Sequence, residues 1–342
     1  MSWPGRSSAA LALCWLTLGG GVASGQEQRS AESGARLAAP LRVRNLSPAT
    51  QLYGLPRAFG ALVPSATTEL TLQVEHANNF TAGGSSGATA AVFDGGTTVT
   101  GLTLRRALGQ RFEWGLELPY VHHGGGFTDA FIDGFHDLFG LPEGGRDDAP
   151  TNRLDYRLVS AGATRVALDD AAGHLGDVRG WLGYRLLRGP GREAVLRGMV
   201  KAPSGRVADL SGSEGTDVSL AVELADSVSL EALGLTMTLM GAATALGNDA
   251  LPGTPQEALV WSGHFGLHYP LTGRLILRGQ LDAHSDVIDT GLRQFAGATV
   301  QGTLGGSVML GPRAWLDVGV SEDLAGASAP DVVFLLALGA SL

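Results

Sequence analysis

The chain of 342 residues has almost no cysteine and almost no lysine. Cys14 is the only cysteine, which excludes a disulfide scaffold and a zinc–thiolate site. Lys201 is the only lysine among 24 basic residues, and 33 acids bring the formal net charge to −9. That balance argues against a nucleic-acid binder. Charged residues make up only 17%, which excludes a coiled coil and a charge-rich disordered chain. Beyond the first 25 residues no run of 18 consecutive apolar residues occurs, so a bundle of membrane-spanning helices is disfavoured. The uncharged stretch 232–247 is too short for a spanning helix and rich in Gly and Thr; it reads as strand.

Glycine is abundant, at 51 residues. The first 25 residues read as a secretory signal. Arg6 supplies a basic start, 9–18 a short apolar stretch, and Val22-Ala23-Ser24-Gly25 the small residues at a cleavage site. Cys14 lies inside the apolar stretch and is no lipid acceptor. The exported chain would then hold no cysteine.

The rest of the chain alternates with period two. Phe112, Trp114, Leu116, Leu118 and Tyr120 share one face; Glu113, Gly115, Glu117 and Pro119 share the other. Leu259, Trp261, Gly263, Phe265, Leu267 and Tyr269 alternate with Val260, Ser262, His264, Gly266 and His268. Similar sets recur at Leu70/Leu72/Val74, Leu182/Tyr184/Leu186, Val218/Leu220/Val222, Leu275/Leu277/Leu281, Leu316/Val318/Val320 and Phe334/Leu336/Leu338. Successive strand side chains point to opposite faces, so these are strands with one apolar and one polar face. A soluble sandwich and a transmembrane antiparallel β-barrel both fit. Runs of about 9–12 residues match a tilted membrane crossing and favour the barrel. So do the charged residues on the second face and the aromatics at run ends (Tyr120, Tyr269, Trp315).

Connection lengths predict 12 strands within 69–342, with 14 as the alternative, and place the C-terminus on the periplasmic side. Short turns alternate with long loops, among them 77–96 and a large extracellular insertion, 122–177. Inside that insertion a hairpin over 154–168 is expected to stand above the membrane. Phe127, Phe131, Phe135 and Leu138 lie on one face of a short amphipathic helix, opposite a stripe of Asp129, Asp133 and Asp137. This helix either covers the barrel mouth or captures hydrophobic solutes. His136 beside these acids is read as a surface group rather than a metal ligand, and with Phe127, Phe131 and Phe135 it forms the candidate ligand-binding set of this loop; no metal or cofactor is expected.

Residues 26–68 form either a periplasmic tail or, over 41–62, a plug. The apolar turn Leu52-Tyr53-Gly54-Leu55-Pro56 motivates the second reading. On the polar faces, Arg274, Arg278, Asp282 and His284 alternate on one strand, Arg197 and Lys201 on a second, Glu113 and Glu117 on a third. These either neutralise one another or form a charged constriction, with Arg274 and Arg278 as its candidate ligand-binding arginines.

Several motifs carry a resemblance. Leu52-Tyr53-Gly54-Leu55-Pro56, Asp94-Gly95-Gly96, Glu117-Leu118-Pro119-Tyr120 and the run from Phe131-Ile132-Asp133-Gly134-Phe135-His136 to Gly140-Leu141-Pro142 together resemble a bacterial outer-membrane family. It is described as domain of unknown function 3187. Phe135 stands where that pattern has Trp, and Gly96 where an acid is common. Leu175-Gly176-Asp177-Val178, Val200-Lys201-Ala202-Pro203-Ser204-Gly205 and Gly215-Thr216-Asp217 resemble, more loosely, hydrophobic-compound uptake barrels. The likeness implies a transport-like role and transfers no functional residue.

The expected function is passive passage of small molecules, hydrophobic ones included. A surface binding barrel without transport and an outer-membrane hydrolase are the alternatives, the last disfavoured because no oriented catalytic set is visible. Expected partners are outer-membrane lipid and lipopolysaccharide, the barrel-assembly machinery during biogenesis, and a small solute. No nucleic acid is expected, and the barrel should be a monomer.

Overall fold

In the computed structural model, the described residues are 36–84, 89–125, 152–247, 251, 254–288, 292, 298–326 and 328–342. Twelve strands close into one antiparallel ring: β1 (Thr68–Gly84), β2 (Ala90–Leu108), β3 (Phe112–Gly124), β7 (Arg179–Gly189), β8 (Arg192–Lys201), β9 (Asp217–Asp226), β10 (Thr236–Ala245), β11 (Leu259–Pro270), β12 (Leu275–His284), β13 (Thr299–Met309), β14 (Ala314–Ala325) and β15 (Val332–Ser341). β15 pairs back onto β1, from Glu69 opposite Ser341 to Asn78 opposite Val332, which closes the ring and leaves no free edge. Three short strands stand on its long-loop end. β4 (Asp155–Ser160) and β5 (Ala163–Leu168) form a hairpin paired to the top of β2. β6 (Ala172–Leu175) pairs with the top of β3.

The apolar face of every alternation points outward. Leu72, Leu182, Leu220, Trp261, Leu304, Val318 and Leu338 are all exposed, Leu304 to 76%. In a soluble sandwich such a row would be core. Here it can be covered only by lipid, which makes the ring a transmembrane barrel. Tyr120 and Tyr269 project outward near strand ends, as an interfacial girdle requires. Trp315 does not. It is buried on the lumen side, with the Arg36 guanidinium 4.5 Å above its ring. Its indole lies flat on Gly339, where a Cβ would come within 2.2 Å of the ring; Trp181 lies on Gly115 in the same way, at 2.1 Å. Glycine on the neighbouring strand is what lets these two indoles lie against the wall.

Two connection lengths differ from the sequence reading. Residues 77–96 are not a loop, because β1 and β2 run on to Gly84 and Ala90 as a tall hairpin. Ala77, Asn78, Asn79, Ala91, Phe93 and Asp94 are all buried there, so both faces are covered and the alternation disappears. The short-turn end also holds a nine-residue connection, 227–235, containing a turn of 3-10 helix at Glu231–Leu233.

Candidate functional site: the lumen and its inner segment

Residues 36–67 contain no strand, only helical residues at 36–37 and one turn of 3-10 helix (Thr50–Leu52), yet Leu41, Leu46, Leu52, Tyr53, Phe59 and Leu62 are all buried. The segment runs inside the ring. An irregular backbone in such a place must find partners for its N–H groups, and the wall supplies carboxylates. Asp217 accepts from Gly54 N (2.7 Å), Glu223 from Phe59 N (2.9 Å) and Gly60 N (2.6 Å), Glu193 from Leu62 N (2.8 Å) and Glu113 from Val63 N (2.9 Å). On the opposite wall Gln280 accepts from Leu41 N and donates to Leu41 O, both at 3.0 Å.

The segment also brings its own cations. Arg44 and Arg57 both donate to Glu117, and each has a nitrogen 3.5 Å from Glu75. Arg179 reaches Glu117 at 3.6 Å. Burial by itself would lower the Arg44 pKa, but Glu117 and Glu75 outweigh it and hold the guanidinium above its ordinary value. Arg57 is lowered, by burial first and by neighbouring Arg44 second. Arg42, with no carboxylate at ion-pair distance among the described residues, is lowered to about 10 by burial, then by Arg105 and Arg57. Phe59 stacks on Trp181 at 4.6 Å between centroids, with the Arg197 and Arg105 guanidiniums 4.9 and 5.2 Å from its ring. Arg197 and Arg105 are themselves paired to Glu113, and Arg197 to Glu223. Residues 44–63 are thus clamped to the β1–β9 side of the ring, while Arg36 pairs with Asp317 on β14.

The one lysine builds a second anchor. Lys201 is buried, with Nζ 2.5 Å from Asp177, 3.3 Å from Asp217, and bonded to Ser213 Oγ and Gly215 O. Asp177 also accepts from Gly205 N and Ser213 N, and Asp217 from Gly247 N. Inner segment, 202–216 loop and 246–258 loop therefore meet at one ammonium group. Sequence reading placed Lys201 beside Arg197 on a polar face and missed this convergence, although the residues of the second resemblance (Asp177, Lys201, Gly205, Gly215, Asp217) turn out to be its members. Above it an apolar cap closes the long-loop end. Leu52 and Tyr53 of the inner segment pack there with Phe93, Tyr156, Leu158, Leu210, Leu251, Val260 and Ile288.

Opposite the clamp lies a cavity of about 50 Å³ between residues 43–56 and the wall. Its lining includes Arg44, Asn45, Arg179, Ser262, Asp282 and Gln301. Among the described residues no three His, Cys, Asp or Glu side chains converge as a metal site requires.

The sequence-derived candidates are scattered. Phe127, Phe131, Phe135 and His136 lie outside the described residues. Arg274 does not line the lumen: it sits exposed in the turn before β12, where the chain has already left the wall. Arg278 is buried, donating to Ser307 Oγ and to the carbonyl of Arg36, at 3.0 and 2.9 Å. The two arginines therefore form no common constriction. Glu113, Glu117, Arg197 and Lys201 do face the lumen, each engaged with the inner segment or its anchors.

The model of the family described as "Protein of unknown function (DUF3187)" matches residues 28–341. The chain belongs to that family. No curated protein matches it. Among solved structures, the COG4313 outer membrane channel from Pseudomonas putida F1 is similar with a TM-score of 0.53 at 13% identity, covering 82% of this chain and 97% of that one. The P. putida toluene transporter TodX aligns at a TM-score of 0.37 and 10% identity over 87% and 91%. The first likeness shows the shared outer-membrane barrel fold.

Proposed function

We propose that this family member is an outer-membrane channel for small solutes whose lumen is closed by its own residues 36–67. The supporting observation is an unfilled space. Ion pairs and carboxylate bonds fasten residues 44–60 to Glu75, Glu117, Asp217 and Glu223 on one side, and Asp317 and Gln280 hold Arg36 and Leu41 on the other, yet a cavity remains against β10–β13, where Ser262, Gly263, His284 and Gln301 line it. A segment built only to fill the lumen would pack that space to interior density. The long-loop end faces outward from the cell and the apolar cap seals it; solute enters past the cap and moves along the β10–β13 side. The likeness to a solved outer-membrane channel supports this reading at the level of fold. The hydrophobic helix inferred for the insertion 122–177 is kept as a proposed capture element at the mouth.

A cross-link provides the test. A Cβ built on Gly54 lies 3.1 Å from Asp217 Cβ, close to the separation a disulfide needs, and the processed chain would have no competing cysteine. In planar bilayers, Gly54→Cys/Asp217→Cys should conduct more than the parent when reduced, because an anchor is lost, and less when oxidised. Equal currents in both redox states would sink the gating role. Absence of any current from the parent or from a 36–62 deletion would sink the channel.

A further inference from the structure

The hydrogen-bonding capacity left over around the cavity is one-sided. Arg179 Nε, Gln301 Nε2 and Ser262 Oγ are buried atoms with no protein partner, and all three belong to cavity-lining residues. Arg179 and Gln301 are only 6% and 3% exposed. They approach from opposite walls, because β7 and β13 are six strands apart whichever way the ring of twelve is followed. The neighbouring acceptors, by contrast, are occupied. Asp282, which also lines the cavity, accepts from His264 Nδ1 at 2.8 Å and from Gln280 Nε2 at 2.7 Å. His284 Nε2 is 3.0 Å from the Asn45 amide nitrogen. Behind the cavity, Arg44, Arg57 and Arg179 share two carboxylates, Glu75 and Glu117, and Asp282 on the facing wall supplies the third negative charge.

A buried donor without an acceptor is costly, and an apolar occupant would leave all three unpaired. A small anion supplies acceptors to all three at once, and its bond to the Arg179 guanidinium is charge-assisted. About 50 Å³ admits a halide or a carboxylate of formate to acetate size and excludes a sugar or an aromatic ring. We infer that the cavity binds a small anion, a halide or a short carboxylate, on Arg179, Gln301 and Ser262. This inference rests on the channel reading for its biological meaning, and makes the solute class small and anionic rather than hydrophobic. The binding itself does not depend on conduction.

The experiment uses the full chain in detergent, with chloride as probe. Chloride-35 line broadening should appear with the parent protein and collapse on adding formate, while pivalate, too bulky for the cavity, should leave it in place. Surface arginines would release chloride to both carboxylates alike, so equal displacement by formate and pivalate overturns the site. So does the absence of broadening, which would mean that water alone occupies the cavity. Gln301→Met/Ser262→Ala leaves every ion pair intact. It should weaken formate displacement by about tenfold for each bond lost, and unchanged displacement in a variant that keeps the strand signal of the parent also overturns it. A parent that broadens chloride yet carries no bilayer current refutes the channel and leaves the anion site standing; current without broadening does the reverse.

Discussion

His264 and His268 share one hydroxyl. Thr238 Oγ1 on β10 lies 3.0 Å from His264 Nε2 and 2.9 Å from His268 Nε2. Asp282 accepts from His264 Nδ1 at 2.8 Å, so in the neutral ring that nitrogen carries the proton and Nε2 is an acceptor. The single Thr238 proton must then go to His264, and His268 must donate its own Nε2 proton to Thr238. His268 Nδ1 is left to accept from Arg278 Nη1, 3.3 Å away. Every position of the row Arg278–His268–Thr238–His264–Asp282 is determined by its neighbour. Nitrogen-15 spectra should show opposite neutral tautomers on the two rings, Nδ1–H on His264 and Nε2–H on His268. The same tautomer on both would refute the chain. Thr238→Val removes the shared hydroxyl and should cost about 1–3 kcal/mol in urea unfolding, because it strands a buried donor and a buried acceptor.

Glu117 meets three guanidiniums, those of Arg44, Arg57 and Arg179. Glu117→Gln leaves an uncompensated positive cluster beside Glu75. Breaking a buried pair by removing one partner costs about 3–5 kcal/mol, and here part of that cost is relieved by releasing the inner segment. Protease should therefore cut within 36–67 in this variant before the barrel unfolds. A segment as resistant as the parent's would show that Glu117 is not its anchor.

Lys201→Met empties the second anchor of its charge while Asp177 and Asp217 remain buried together. Loss of stability on the same scale, about 3–5 kcal/mol, is expected. Measuring the urea midpoint of the variant against the parent checks the size, and an unchanged midpoint would show that the ammonium group is not an anchor.

The two indole cradles give a packing test. A methyl at Gly115 or Gly339 would stand 2.1 or 2.2 Å from the Trp181 or Trp315 ring, so the indole must turn off the wall. Gly115→Ala also threatens the Trp181 bond to Glu113 (3.2 Å) and the stack on Phe59. Each substitution should cost about 1–3 kcal/mol as overpacking and shift tryptophan emission. Unshifted emission would mean the indoles lie elsewhere.

Leu304, 76% exposed at the middle of β13, tests the lipid face. Leu304→Arg should destabilise the barrel in vesicles by about 2–4 kcal/mol, the cost of a cation near the bilayer midplane. An inward substitution of similar size would not depend on bilayer thickness, whereas this one should.

The outer face was legible from the residues alone. Lipid is a uniform partner, so a side chain that meets it needs only to be apolar, and period two then reveals each strand, the count of twelve and the direction of every side chain from Leu70 to Leu338. Where lipid is not the partner the pattern fails: residues 75–79 and 93–97 are buried on both faces, and no alternation marks them as strand. The inner face has specific partners, and these lie far away in sequence. Glu117 is recognisable as inward from its neighbours, but only closure of the ring brings Arg44, Arg57 and Arg179 to it. Trp315 shows where strand-end position misleads. By position it fits a girdle, but the alternation of Leu316, Val318 and Val320 already turns it inward, and Gly339 on the next strand with Arg36 from the inner segment decides what it meets there. One-dimensional periodicity thus determined which way each side chain points; which inward group meets which was decided by tertiary closure, because opposite charges and buried donors are matched through space and not along the chain.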